Sequence, residues 1–331
     1  MKHAVSRPSL LLRWLLALVA SLSFASAQFS PDNVECIAPA SAGGGWDFTC
    51  RVPAAQVMPE LGLVPGSIQV TNLSGGGGGV AYANVVTQRE GDEDLIVAAS
   101  VATATRLAQN VFAGFTADNV RWFGALGADY GILAVDVNSD YATLDDLLAV
   151  MQDDPDALTF VGGSAVGGFD HIKVLQLARA AGIEDITPYR YVSFDGGATA
   201  IVEIKGGRAD VFTGDASEVV GELDAGTMRA LAIFAPERID RLPDVPAATE
   251  LGYDVIAPNW RGFYGAPGIS DEAYDYWVSA VETVANSEEW QTLRDQNGLA
   301  PFASFGADFE TFVRDQIEIM RGISEELGVI Q

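Results

Sequence analysis

An α/β protein of two domains, with mainly parallel sheets and helices on both faces, is predicted by three observations. Short apolar runs alternate with helix-like runs along most of the 331 residues, the pattern of successive βαβ units. Two glycine-rich segments, Pro39 to Asp47 and Gly162 to His171, recur in one setting about 120 residues apart, each after an apolar run and before a helical one. The length left after an N-terminal leader, about 304 residues, suits two domains of ordinary size.

The leader comes first. Lys2, Arg7 and Arg13 form a basic start, Trp14 to Ala25 an uncharged and mostly apolar stretch, and Ala25-Ser26-Ala27 a small-residue cleavage site. This order reads as a signal peptide over residues 1–27, with the exported chain starting at Gln28. The apolar stretch is short for a membrane span, and no later run reaches the length one needs. No cysteine stands at the cleavage site to carry a lipid.

The elements follow in order. Ile68 to Leu73 reads as a strand and Val80 to Gln88 as a helix opened by glycines. Leu95 to Ala99 is a strand and Thr103 to Asn110 a helix; Ile132 to Val137 is a strand. Thr143 with Asp146 three residues on is a capping-box variant, opening a helix that runs to Met151 and stops before Pro155. Leu158 to Val161 is a strand and Phe169 to Ala181 a helix that Gly182 ends. Tyr189 to Phe194, Val211 to Thr213 and Arg229 to Phe234 are strands, with helices over Ala198 to Lys205 and Ser217 to Leu223 between them. The tail differs: Asp271 to Asn286 and Asp308 to Leu327 read as long helices. Phe309, Phe312, Val313, Ile317, Met320, Ile323 and Ser324 lie along the second at core spacing. No low-complexity tether separates two halves, so the domains are expected to interleave, with the chain crossing twice. One domain comprises residues 28–128 and 257–331, the other 129–256.

Composition limits the function. The formal charge is −26, and loss of Lys2, Arg7 and Arg13 with the leader takes it to −29. So acidic a chain argues against nucleic acid and anionic lipid as partners. It also repels small anions at long range, but salt screens that field over roughly 8–10 Å, so local N–H groups and single arginines can dominate at a site. Past the leader only His171 remains as a histidine, which removes multi-histidine metal sites and weakens any catalytic triad. No G-x-S-x-G and no GK[ST] occurs. No cofactor, metal or catalytic residue is therefore expected. Cys36 and Cys50 stand as either a disulfide beside the first glycine segment or two buried thiols.

Glycines let backbone approach a ligand, and a helix start offers unpaired N–H groups with a partial positive charge. Five loops after predicted strands have this character: Ser41 to Asp47, Ser74 to Gly79, Ser100 to Thr105, Gly163 to Asp170 and Asp195 to Thr199. Their small and hydroxyl residues suit carboxylate oxygens. The candidate contacts are Ser41, Gly43, Gly44, Gly45, Trp46, Asp47, Ser74, Gly75, Gly76, Ser100, Ser164, Ala165, His171, Asp195 and Arg261. Asp47 reads either as a helix cap or as a contact to a ligand hydroxyl, amine or water. His171 is a structural hydrogen-bonder or a ligand contact. Arg261 is a bidentate carboxylate clamp or half of an interdomain salt bridge, with Arg51 and Arg106 as further cations of that kind. Trp46 and Phe169 wall the pocket or fill the core.

An ordered series of motifs resembles a known family. Cys36-Ile37-Ala38-Pro39-Ala40 is followed by Gly43-Gly44-Gly45-Trp46-Asp47-Phe48-Thr49-Cys50-Arg51 and Asn72-Leu73-Ser74-Gly75-Gly76-Gly77-Gly78. Gly163-Ser164 with Asp170-His171, Phe194-Asp195-Gly196-Gly197, Pro243-Asp244-Val245-Pro246 and Asn259-Trp260-Arg261-Gly262-Phe263-Tyr264 come later. The series resembles the receptors of tripartite tricarboxylate transporters, the Bug-type solute-binding proteins. Its Trp-Asp-Phe-Thr-Cys-Arg and Asn-Trp-Arg-Gly-Phe-Tyr strings look most like the tricarboxylate branch. It departs from the family's pattern at Ser41-Ala42, where proline is common. The resemblance implies a two-domain, type II periplasmic binding protein fold that closes on a carboxylate such as citrate. It also implies a monomer in the periplasm whose partners are the transporter's large and small membrane subunits. A receptor that reports the same ligand to a membrane sensor kinase is the alternative that the residues leave open.

Overall fold

In a computed structural model, which describes Met1 and residues 29–186 and 189–330, the strands join in the order Gln69–Asn72, Glu35–Ala38, Leu95–Ser100, Pro258–Gly265, Arg121–Asp136, Val211–Asp215, Thr159–Gly162 and Arg190–Ser193, with Met228–Ile233 and Ser304–Phe305 also pairing with Arg121–Asp136. The expected signal peptide and its cleavage site lie outside the described residues, apart from Met1. One lobe carries the parallel set β2 (Gln69–Asn72), β1 (Glu35–Ala38) and β3 (Leu95–Ser100). The other carries the parallel set β6 (Arg190–Ser193), β5 (Thr159–Gly162) and β7 (Val211–Asp215), with β8 (Met228–Ile233).

Two long antiparallel strands link the lobes. β4 (Arg121–Asp136) pairs with β9 (Pro258–Gly265) from Arg121 to Tyr130, then with β7 and β8 from Gly131 onward. The sequence pattern marks only the last third of β4, and neither β9 nor the two-residue β10 (Ser304–Phe305). The cause is close packing that demands glycine, a residue poor in strand signal. A Cβ on Gly124 would lie 2.7 Å from the Phe305 ring, and one on Gly262 2.5 Å from Gly124 O.

The helices follow the loops. α1 (Gly45–Thr49) runs on as a π-helical stretch (Cys50–Val57) and a last piece, Met58–Glu60. Pro53 sits inside it, and a wider helical turn accommodates its missing N–H. Cys36 and Cys50 form a disulfide that ties this stretch to β1, with Cα atoms 5.6 Å apart. α2 (Gly79–Gln88) follows four glycines, Gly75 to Gly78, all at positive φ, where side chains are strained. α3 (Val101–Ala108) is capped by Ser100 and Thr103, and α4 (Leu144–Asp153) by the predicted Thr143–Asp146 box. α5 (Phe169–Ala180), α6 (Gly197–Lys205) and α7 (Ala216–Asp224) belong to the second lobe. α8 (Asp271–Asn286), α9 (Glu288–Gln296) and α10 (Gly306–Glu326) close the chain; the apolar pattern does not predict α9. Phe309, Val313, Ile317, Met320 and Ser324 of α10 are buried, as their spacing predicts. A second, smaller apolar core under α6 and α7 includes Ile132, Ile201, Phe212 and Val219.

Candidate functional site

The loops that follow β1, β3, β5, β6 and β7 gather at one edge, where the lobes face each other. They line a cavity of about 50 Å³ between the lobes. Gly45, Trp46, Ser100, Ser164, Ala165, Asp195 and Arg261 line it, all expected from the sequence. Ser41 and Gly76 line an adjoining recess with Ala165 and Asp195. The lobes touch around this space: Ser41 N–H donates to Asp195 O at 2.6 Å, and Gln109 Nε2 donates to Gly167 O at 2.6 Å.

Other expected residues lie elsewhere. Asp47 turns inward. One carboxylate oxygen accepts from Gly43 N at 2.8 Å and Arg51 Nε at 2.8 Å, and the other from Asn72 Nδ2 at 2.9 Å. Burial pushes this carboxyl up, but those bonds and the Arg51 charge hold it below the usual carboxylate range. It closes the loop of its own segment and takes no place in the cavity wall. His171 stacks on Tyr191, ring centres 4.8 Å apart, and its Nδ1 accepts from Gly167 N. Burial lowers its pKa to about 4, so it is neutral at neutral pH. Gly43 and Gly44 form the lobe contact itself, their Cβ positions lying 2.9 Å from Ala198 Cβ and 3.2 Å from Gly196 Cα. Ser74 and Gly75 shape the turn before α2 and do not line the cavity.

The first glycine cradle is already satisfied from within. Gly43 N bonds Asp47, Gly44 N bonds Ser41 O, and Gly45 N donates to Glu218 Oε1 at 3.1 Å. The same oxygen accepts from Gly197 N at 3.3 Å, and Glu218 Oε2 accepts from Asp215 N at 3.1 Å. A carboxylate of the chain thus sits between the starts of α1 and α6, one from each lobe. Burial, then the charges of Asp215 and Asp170, push Glu218 up to about 7.

Arg261 is a salt-bridge partner rather than a free clamp. Its Nη2 lies 2.8 Å from Asp129 Oδ2 and 2.9 Å from Asp215 Oδ2, with the side chain 3% exposed. Asp215 also takes bonds from Asn259 Nδ2 at 2.5 Å and from Lys173, whose Nζ lies 2.8 Å from Asp170 Oδ1. Burial raises Asp215, but Lys173 and Arg261 outweigh it and hold the carboxyl low. Asp129 is pushed up, since burial and the Asp215 charge exceed the pull of Arg261. Sequence reasoning misses Asp215, Glu218 and Asn259 as cavity residues, while Gly77 falls inside the Ser74 to Gly79 loop that it marks. The signal that could have found the Asp215–Glu218 pair is its three-residue capping-box spacing, which the sequence reading leaves unmarked. Among the described residues no cluster could hold a metal ion, and no helix is long and apolar enough to cross a membrane.

The sequence model of the tripartite tricarboxylate transporter family receptors matches residues 63–329. The chain belongs to that family. It is a receptor, not an enzyme. A relative, protein BugT of Bordetella pertussis, is 24% identical over 89% of this chain and 89% of its own. Among solved structures, the periplasmic binding protein BugD superposes with a TM-score of 0.81 at 19% identity, covering 91% of this chain and 99% of its own. MatC of Rhodopseudomonas palustris, solved with bound malate, gives 0.78 at 20% identity over 89% and 99%. These likenesses identify the fold as that of a two-domain binding protein.

Proposed function

We propose that this tripartite tricarboxylate transporter receptor captures a small di- or tricarboxylate in the cleft between its lobes. The observation that carries the reading is the cavity at the carboxyl ends of strands from both lobes, where open α/β sheets bind ligands. Trp46, Ser100, Ser164, Ala165 and Asp195 are its contacts, with hydroxyl and amide groups facing carboxylate oxygens, while Gly45 lines the wall with its amide on Glu218. Residues 28–128 with 257–331 close on residues 129–256 about the β4–β9 crossing. The loaded receptor, exported to the periplasm after loss of residues 1–27, delivers its ligand to the large and small membrane subunits of a transporter. Citrate is the finer reading, supported by the likeness of Trp46 to Arg51 and Asn259 to Tyr264 to the tricarboxylate branch.

The test is calorimetry on the exported chain, unfolded and refolded to strip carried-over ligand, against citrate, tricarballylate, malate and succinate. Citrate should bind at about micromolar strength, roughly −8 kcal/mol. Binding of malate or succinate with citrate silent would overturn the citrate choice and keep the carboxylate receptor.

A further inference from the structure

We infer that Arg106 on α3 is the cation that pairs with a ligand carboxylate and sets the preference for ligands carrying more than one. The inference rests on the carboxylate reading above and deepens it. Two cations line the cavity, Arg106 and Arg261. Arg261 is already neutralised by Asp129 and Asp215. Arg106 forms no ion pair with any described residue: its Nη1 donates to Gln109 Oε1 at 2.7 Å and to Val166 O at 3.3 Å. Its Nε is buried with no hydrogen-bond partner.

A guanidinium binds a carboxylate through two parallel N–H groups, end-on through both Nη atoms or side-on through Nε and Nη2. Gln109 and Val166 take Nη1, leaving Nη2 and the covered Nε as the unpaired edge. Gly77 packs against that edge without filling it: a Cβ there, at a φ of +63°, would lie 3.3 Å from Arg106 Nε. A half-buried cation without a counter-charge is unfavourable, and the two neutral acceptors on Nη1 offset only part of that cost. Burial holds the Arg106 pKa below its usual range, and no acidic neighbour raises it again. An anion entering the cleft supplies the missing charge. The bond to Val166 O also crosses to the second lobe, so pairing and closure share one side chain.

Calorimetry and thermal melts on the stripped, exported chain test this, comparing wild type with Arg106→Gln and Arg106→Lys against citrate, succinate and butyrate. Arg106→Gln should weaken citrate and succinate at least tenfold and leave butyrate within about twofold. Arg106→Lys should fall between, keeping the charge without the fork. Unliganded Arg106→Gln should melt no lower than wild type, because an uncompensated cation is removed. A purely structural arginine would lower that melting point and weaken all three ligands alike, which overturns the proposal. Citrate or succinate bound equally by wild type and Arg106→Gln overturns it while the carboxylate reading stands. Wild type silent to every carboxylate overturns both.

Discussion

Glu218 is the residue at which the cleft's chemistry and the fold's stability meet. Its carboxyl accepts from amides of both lobes and from the cap of α7, within a group of acids that includes Asp170 and Asp215. Its pKa is raised from 4.5 to about 7, so the folded chain holds a proton that the unfolded chain releases. The stabilising contribution is therefore complete below pH 4.5 and lost as pH rises through about 7. Glu218→Gln keeps one acceptor oxygen and cannot titrate. Its stability relative to wild type should rise from pH 4.5 to 7, by roughly 1–3 kcal/mol, then level off. Melts from pH 4.5 to 8.5 check this; a difference flat with pH would show that Glu218 ionises normally. The sequence places this residue only inside the helix read over Ser217 to Leu223, because its partners, Gly45 and Gly197, lie 173 and 21 residues away. Asp47, by contrast, reads as a possible contact though its bonds are mostly local. The pattern Gly43-x-x-x-Asp47 fits a self-closing loop as well as a binding one, and only the direction of the carboxylate separates them.

At the scale of elements, alternation and caps are legible in the sequence, and the crossing strands are not. Parallel strands flanked by helices declare themselves through apolar runs and turn residues, as β3, β5 and β7 do. β4 and β9 carry glycines wherever a neighbouring strand or ring comes too close for a Cβ, and so lose the strand signature where the lobes join. The helix after β1 is a further case. With Pro53 inside a π-helical stretch, its local propensity is poor, and the Cys36–Cys50 bridge holds it against β1. The bridge closes a loop of separation 14, for which the lost chain entropy predicts about 3 kcal/mol. The double substitution Cys36→Ala with Cys50→Ala should lower the urea midpoint by at least that equivalent and make unfolding indifferent to reductant. A double variant as stable as wild type would leave the bridge without a stabilising role. Both cysteines are fully buried, so packing loss adds to the effect.

For the whole molecule, the question is whether the contacts between lobes are the closed state that a ligand selects. Ser41, Gly43, Gly44 and Gly45 of one lobe touch Asp195, Gly196, Ala198 and Glu218 of the other, and little space separates the two faces. Gly44 is the informative position. Its φ of −89° suits any residue, so a side chain there strains nothing within its own loop. A Cβ would stand 3.2 Å from Gly196 Cα, a backbone atom of the opposite lobe that cannot turn aside as a side chain can. Gly43, at a φ of +84°, would confound the same experiment with local strain. Gly44→Leu should therefore fold and melt close to wild type yet hold the lobes apart. Scattering should show a radius of gyration that no longer falls when ligand is added, and calorimetry a loss of affinity of at least tenfold. A ligand can draw the lobes together only by the difference in its affinity for the two states, so a receptor barred from closing loses the contacts of one lobe entirely. Gly44→Leu binding as tightly as wild type would mean that the ligand is held by a single lobe, and the contacts between Gly44 and Gly196 would then have no part in capture.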